Sequence, residues 1–308
     1  MKVKVRVPAT TANIGPGFDC LGLALPIYNE ITIEETVMPG SGIEINIIND
    51  NNDDLLYIPT DENNIVYKAV ELLYNSIGMS PSELKITINT NIPVAKGLGS
   101  SASVIIGGLI AANELLGRPA DEAALLSIAT EVEGHPDNVA PAILGGFIIS
   151  SQEDDGSIIY RKLSWPESWN IMVCIPDYEL ATDISRSILP QEVKMKDAVF
   201  NLKRMGMLIH AVHTEDDKLM KFALQDRLHQ QYRKKLVPGL DNIIENLKSF
   251  ENVLGCVLSG AGPSVLIISK GNNTEPIKEV VQKTWQDLNV RTDILNMKPT
   301  LEGATIIS

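Results

Sequence analysis

Cysteine is scarce in this chain of 308 residues. There are three, Cys20, Cys174 and Cys256, far apart and without a CxxC pair. So sparse and odd a set argues against a disulfide framework and fits a reducing cytoplasm, with each thiol a small buried apolar group. Basic residues are also in deficit, 26 Lys and Arg against 39 Asp and Glu, for a formal net charge of −13 and a pI near 4.8. Nucleic-acid and anionic-membrane binding both need a basic footprint, so neither partner is expected. A small anionic ligand needs only a local positive site and stays open. No apolar run approaches the roughly 20 residues of a membrane span. The opening "MKVKVRVPAT" lacks the apolar stretch of a signal peptide and reads as a strand. Internal repeats and low-complexity segments are missing too.

What is present is an ordinary globular composition, with 44% hydrophobic and 21% charged residues. The length suggests two domains. "VKVRVPAT", "NEITIEET", "GIEINIIN" and "LKITINTNIP" alternate at period two, which predicts half-buried antiparallel strands. A helix is expected in "DENNIVYKAVELLYNSIG", a buried one in "SASVIIGGLIAANELLG", and a third in "DEAALLSIATEVEG", stopped by Gly134. "HPDNVAPAILGG" reads as a Pro- and Gly-broken connector before a strand "FIIS". The charged turn "SQEDDGS" suggests a boundary near residue 155, giving domains 1–155 and 156–308. The second half reads as α+β, its strands "WNIMVCIP", "VLGCVLSGAGPSVLIIS" and "VRTDILNM" interleaved with helices.

The stretch Pro93 to Ser103, "PVAKGLGSSAS", invites three readings. It is not a Walker A loop, because GxxxxGK[ST] is absent. It matches the loose dinucleotide fingerprint GxGxxA, but the segment before it alternates and two helices follow, where that fold needs a parallel strand and an acidic residue ending the next one. In the third reading, Gly97 and Gly99 turn the backbone close to oxyanions. The amides of Ser100, Ser101 and Ala102 then open a helix whose N-terminus favours negative charge. The plain alternative is a packing turn with a capping serine. "PATTANIGPGFDCLGLAL" and "SGAGPSV" are further Gly-rich turns, and each alone would pass for hairpin chemistry.

Taken in order, these three segments resemble the three signature motifs of the GHMP kinase superfamily, whose middle motif P-x-x-x-G-L-G-S-S-A is matched throughout by "PVAKGLGSSA". "EGHPDNVAPAILGG", "ELATDISRSILP" and "YRKKLVPG" extend the likeness to the homoserine kinases within it, from the N-terminus to about residue 268. The resemblance implies an α+β fold of two domains, a ribosomal-protein-S5-like N-terminal half and a ferredoxin-like C-terminal half, with the active site between them. It implies transfer of the γ-phosphate of ATP to the side-chain hydroxyl of L-homoserine, a step toward threonine. The rivals are a kinase of the same superfamily for another small alcohol, such as mevalonate or shikimate, a dinucleotide-dependent oxidoreductase, and a nucleotide-binding module without turnover.

The resemblance also assigns residues. ATP phosphates fall on Pro93, Val94, Ala95, Lys96, Gly97, Leu98, Gly99, Ser100, Ser101, Ala102 and Ser103, with Lys96 on the solvent side. Mg²⁺ falls to Ser101 and Glu131, with Glu133 a rival, and adenine to Asn64, with Asn63 a rival. Asp19 is expected to take the substrate ammonium and Arg186 and Arg233 its carboxylate, since a planar guanidinium suits a carboxylate. Asn13, His135 and Asn138 would orient the amino acid and its hydroxyl, and Thr182 would line the pocket or touch the γ-phosphate. Asp137 is kept as a candidate base. His210 and His213, three apart without an accompanying acidic or cysteine pattern, read as structural. A homodimer is left open.

Overall fold

The computed structural model describes residues 1–35, 42–49, 58–81 and 83–307. Strands β1 (Lys2–Ala12), β2 (Leu21–Glu35), β3 (Glu44–Ile48) and β4 (Leu84–Asn89) form where the alternating segments lie. Val3, Val5 and Val7 are buried while Lys4 and Arg6 between them are not, which is the period of a strand with one face inward. Thr36, the last residue of the second alternating segment, lies outside the described residues. β1, β2 and β4 run antiparallel, but β3 and β4 pair in parallel, Ile45 against Ile86. Helix α1 (Ile65–Ser76) stands between them in sequence and supplies the crossover that parallel pairing requires. Alternation reports a half-buried face and not strand direction, so the all-antiparallel expectation is corrected here.

Helices α2 (Ser100–Leu115), α3 (Glu122–Glu133) and α4 (Pro136–Leu144) join α1 on one face of this sheet. Val66, Leu73, Ile105, Leu109 and Leu126 pack with Val5, Ile33 and Ile86 in its main core. α4 replaces the expected connector. Pro136 occupies the first turn, where a missing N–H costs nothing, and every residue from Pro136 to Ala142 is buried, so packing outweighs the break at Pro141. β5 (Phe147–Gln152) pairs with β2, and β6 (Ile158–Leu163) with β5. The turn near residue 155 therefore lies inside a hairpin of the first sheet, and the chain crosses to the second sheet over residues 164–168.

The second half runs through β7 (Trp169–Pro176), α5 (Thr182–Ser187), α6 (Met195–Thr214), α7 (Asp217–Ala223), α8 (Gln230–Arg233), α9 (Leu240–Leu247), β8 (Val253–Leu258), β9 (Val265–Lys270), α10 (Glu275–Gln286) and β10 (Thr292–Met297). Its antiparallel sheet has the order β10-β7-β9-β8. The final strand β11 (Thr305–Ile306) returns to pair with β1. Between the sheets, Ile14, Leu21 and Leu23 share one apolar cluster with Trp169, Val173, Leu208 and Leu266. The two halves are thus joined by a common core, and the cleft described next draws its walls from both. Among the described residues no helix is long and apolar enough to cross a membrane.

Candidate active site

The loop before α2 is built to present amides. Gly99 caps that helix in the left-handed region at φ 65°, and a Cβ there would lie 1.9 Å from Thr10 Oγ1. Gly97, at φ 74°, would drive a Cβ to 2.3 Å from the Ser259 carbonyl. Only glycine fits either place. The loop carbonyls are tied down from behind. Ala95 O accepts from Leu180 N, Lys96 O from Ser264 N, Gly97 O from Ser259 Oγ and Leu98 O from Thr10 N. With the carbonyls so occupied, the orphan N–H groups of Ser100, Ser101 and Ala102 open α2 toward a cleft of about 330 Å³. Pro93 to Ser101 line that cleft. Ala102 lends it only its amide, its side chain being buried in the core.

Two expectations for this loop are corrected. Ser103 is fully buried, accepts from Asn29 Nδ2 at 2.8 Å and is not part of the lining; its amide is spent on Gly99 O. Lys96 does not turn to solvent. Its Nζ donates to the carbonyls of Pro176 at 3.0 Å and Tyr178 at 2.7 Å, pinning the loop to the end of β7.

Asn64 lines the cleft and caps α1, its side chain accepting from Val66 N while Nδ2 donates to Pro59 O. Asn63 is exposed and outside the lining. Ile47, Ile65, Ile88 and Val104 give this end of the cleft an apolar wall.

The metal expectation changes residue. Glu131 is exposed and away from the cleft, whereas Glu133 lines it. Two positions along a helix are about 200° of rotation, so only one of the pair can face inward. Burial pushes the Glu133 carboxyl above its ordinary value, against the pull of His135 and of the Ser101 hydroxyl bonded to it. Glu133 is also the last residue of α3, where the helix dipole disfavours an anion. Among the described residues no cluster of three or more His, Cys, Asp or Glu could hold a metal.

At the other end of the cleft, Asn13 and Asp19 both hold positive φ, 70° and 54°. Asn13 Oδ1 accepts from Asp19 N and its Nδ2 donates to Gly260 O, so one side chain shapes the turn and joins it to the second half. Arg186 clasps Asp19 through two hydrogen bonds. Arg233 is 1% exposed, and among the described residues it forms no ion pair. Burial first, then the neighbouring Arg186, lower its pKa to about 10. His135 Nδ1 meets Asp137 Oδ1 at 2.6 Å, and Thr10 Oγ1 donates to Asn138 Oδ1 at 2.8 Å. Burial alone would lower the His135 pKa, but the bond to Asp137 and the charges of Asp137 and Glu133 raise it. Exposed Thr182, at the start of α5, also lines the cleft. His210 and His213 sit exposed on α6, away from it.

Known proteins resemble this chain over nearly its whole length. The GHMP kinases N terminal domain matches residues 64–146 and the GHMP kinases C terminal domain residues 208–287. The homoserine kinase of Microchaete diplosiphon is 39% identical over 306 residues, 99% of this chain and 97% of its own. That of Moorella thermoacetica is 40% identical over 303 residues, covering 98% and 99%. The chain belongs to the homoserine kinase family of GHMP kinases. A crystal structure of homoserine kinase from Cytophaga hutchinsonii superposes with a TM-score of 0.87 at 29% identity, over 99% of this chain and 97% of that one. A mevalonate kinase structure, 17% identical with a TM-score of 0.67 over 96% and 99% of the two chains, shares the fold.

Membership in this kinase family implies use of ATP and excludes the dinucleotide-dependent oxidoreductase. Beyond the expected residues, this homoserine kinase family member brings Phe18 against Arg186 and Arg233 and His229 against Arg233. Their rings stack at 5.1 Å, and Phe18 lies beneath both Arg186 and Arg233. His229 stands four residues before Arg233 in the segment "HQQYRKKLVPG". That i, i+4 spacing was the available signal, but it needed the helix α8 to be recognised.

Proposed function

We propose that this chain transfers the γ-phosphoryl group of ATP to the side-chain hydroxyl of L-homoserine, forming O-phospho-L-homoserine within threonine biosynthesis in the cytoplasm. One observation carries the reading. A single cleft joins a loop of oxyanion-directed amides to a cluster of one carboxylate, Asp19, and two guanidiniums, Arg186 and Arg233. That cluster complements a zwitterion, whereas an isoprenoid alcohol would leave Asp19 without a cationic partner.

In this reading the apolar wall and Asn64 receive the adenine end, and the amides of Ser100, Ser101 and Ala102 receive the phosphates. Ser101 and Glu133 fit Mg²⁺, because a carboxylate half-buried at a helix C-terminus beside a hydroxyl is a place that a cation relieves. Mg²⁺ supplies charge neutralisation on the phosphate oxygens. Asp19 takes the ammonium, Arg186 and Arg233 take the carboxylate, and Asn13 holds the turn that carries Asp19. Asn138, braced by Thr10, orients the hydroxyl, and Thr182 closes the rim. Phosphoryl transfer passes through a loose transition state and depends mostly on positioning and charge, so no strong base is required. Asp137, already bonded to His135, therefore orients and is not an essential base.

ADP release measured with homoserine, mevalonate, shikimate and galactose tests the substrate. Turnover with homoserine alone is expected, and turnover with another alcohol in its place would overturn it. A homodimer remains part of the reading. The strongly exposed Met195 and Leu202 on α6 support it, and sedimentation in solution reads it.

A further inference from the structure

His229 is fully buried, although the reaction gives it no part. Its place is fixed by Asp226, whose carboxylate accepts from the amides of Leu228, His229 and Gln230 at the start of α8. The ring packs flat on Phe18. Nε2 lies 2.8 Å from the Gly15 carbonyl, which can only accept, so Nε2 carries the proton. Nδ1 is then a lone-pair acceptor, and Arg233 Nη1 stands 3.4 Å from it. Burial lowers the His229 pKa, in keeping with a neutral ring.

Arg233 is held on that side only. Nε donates to Ser185 O at 3.2 Å, and Nη1 lies 3.3 Å from Gly260 O as well as near His229. Among the described residues nothing accepts from Nη2. The contrast with Arg186 is informative, for Arg186 pairs with Asp19 whereas among the described residues Arg233 pairs with no carboxylate. A carboxylate in the place of His229 would orient Arg233 but also cancel its charge and compete with an incoming carboxylate. A neutral imidazole and two carbonyls orient it and leave the charge intact.

We infer that His229 is a positioning residue that holds Arg233, through a neutral Nδ1 acceptor, so that the free Nη2 edge of the guanidinium meets the carboxylate of the amino-acid substrate. Through Nε2 the same ring ties this arrangement to Gly15, in the turn that carries Asn13 and Asp19. The inference rests on the proposed role of Arg233 as the carboxylate anchor.

The test separates the two ring nitrogens. His229→Gln can keep a donor toward Gly15 but supplies no acceptor at the Nδ1 position. His229→Asn can keep that acceptor and loses the distal donor. The expected result is a homoserine KM raised about tenfold in His229→Gln, with ATP KM within about twofold, and substantial rescue in His229→Asn. In the Arg233→Met background, His229→Gln is expected to add little, because its effect runs through Arg233. An unchanged homoserine KM in His229→Gln, or equal rises in both KM values, would overturn the inference. If Arg233→Met itself leaves homoserine KM unchanged, the anchor reading fails and the inference with it. Nitrogen NMR of the wild-type imidazoles, four in all, gives an answer even if a variant does not fold. A protonated Nε2 with a bare Nδ1 that shifts on adding homoserine is expected. An Nδ1–H tautomer, or no shift, would overturn it.

Discussion

Arg186 donates to both oxygens of Asp19, Nη2 to Oδ1 at 2.7 Å and Nη1 to Oδ2 at 3.1 Å. The residues read as gripping opposite ends of a zwitterion grip each other. In the proposed reading, homoserine would replace this mutual pair with contacts from Asp19 to its ammonium and from Arg186 to its carboxylate. Asp19→Asn is expected to raise the homoserine KM on the order of 30-fold, with ATP KM nearly unchanged. Steady-state kinetics with each substrate varied in turn reads this. A parallel rise in ATP KM would count against Asp19 as the ammonium site.

Glu133 and Glu131 separate the facing glutamate from the exposed one. Glu133→Gln is expected to lower kcat on the order of 100-fold and to raise the Mg²⁺ concentration needed for half-maximal rate. Glu131→Gln is expected to stay within about twofold, as for a solvated helix residue. ADP release across a Mg²⁺ titration compares them.

The same glutamate has a signature without nucleotide. Burial raises its pKa above the ordinary 4.5, so the folded chain holds that proton more tightly than the unfolded chain. Stability from this group is then lost as pH rises from 4.5 through the raised value. Glu133→Gln should increase Tm at pH 7 by about 2 °C, with the gain vanishing below the ordinary carboxylate pKa. A gain equal at both pH values would contradict the assignment.

His135 runs the same way, in a higher pH window. Its raised pKa means that its pairing with Asp137 stabilises the fold fully below 6.5, and that this is lost as pH climbs through the raised value. Asp137→Asn should lower the His135 pKa seen by NMR and cost most stability below pH 6.5. It should reduce kcat by less than about tenfold. A far larger loss of kcat would restore Asp137 as an essential base.

Gly99→Ala tests the loop. Strain at positive φ, together with the approach to Thr10, is expected to destabilise the protein by about 3 kcal/mol and to abolish ATP protection against thermal unfolding. Normal melting with normal ATP protection would mean that the helix start is more adaptable than its geometry implies.

Much of this architecture was readable from residue order. Period-two alternation gave β1, β2 and β4, and the three Gly-rich turns picked out by the family resemblance are segments that line one cleft. What escaped was decided by tertiary packing. α4 looked broken because Pro136 and Pro141 disfavour helix locally, yet burial of the whole segment holds it. Glu131 and Glu133 are indistinguishable until the rotation of α3 is fixed by its core residues Leu125, Leu126 and Ala129. Lys96 has the composition of a surface residue, and only the fold brings the carbonyls at the end of β7 to it. His229 gains its meaning from Gly15, more than 200 residues away along the chain.

The pairing of β11 with β1 has a consequence for synthesis. Val5 and Arg6 meet Ile306 and Thr305, and Ile307 N donates to Lys4 O. During translation that edge of the first sheet waits for a partner made about 300 residues later, on the order of 15–60 s at ordinary elongation rates. Over that interval the nascent chain carries an open strand, a template for pairing with neighbouring chains. Lys2 and Lys4, near the start of that strand, are charges that discourage such pairing until its own last strand arrives.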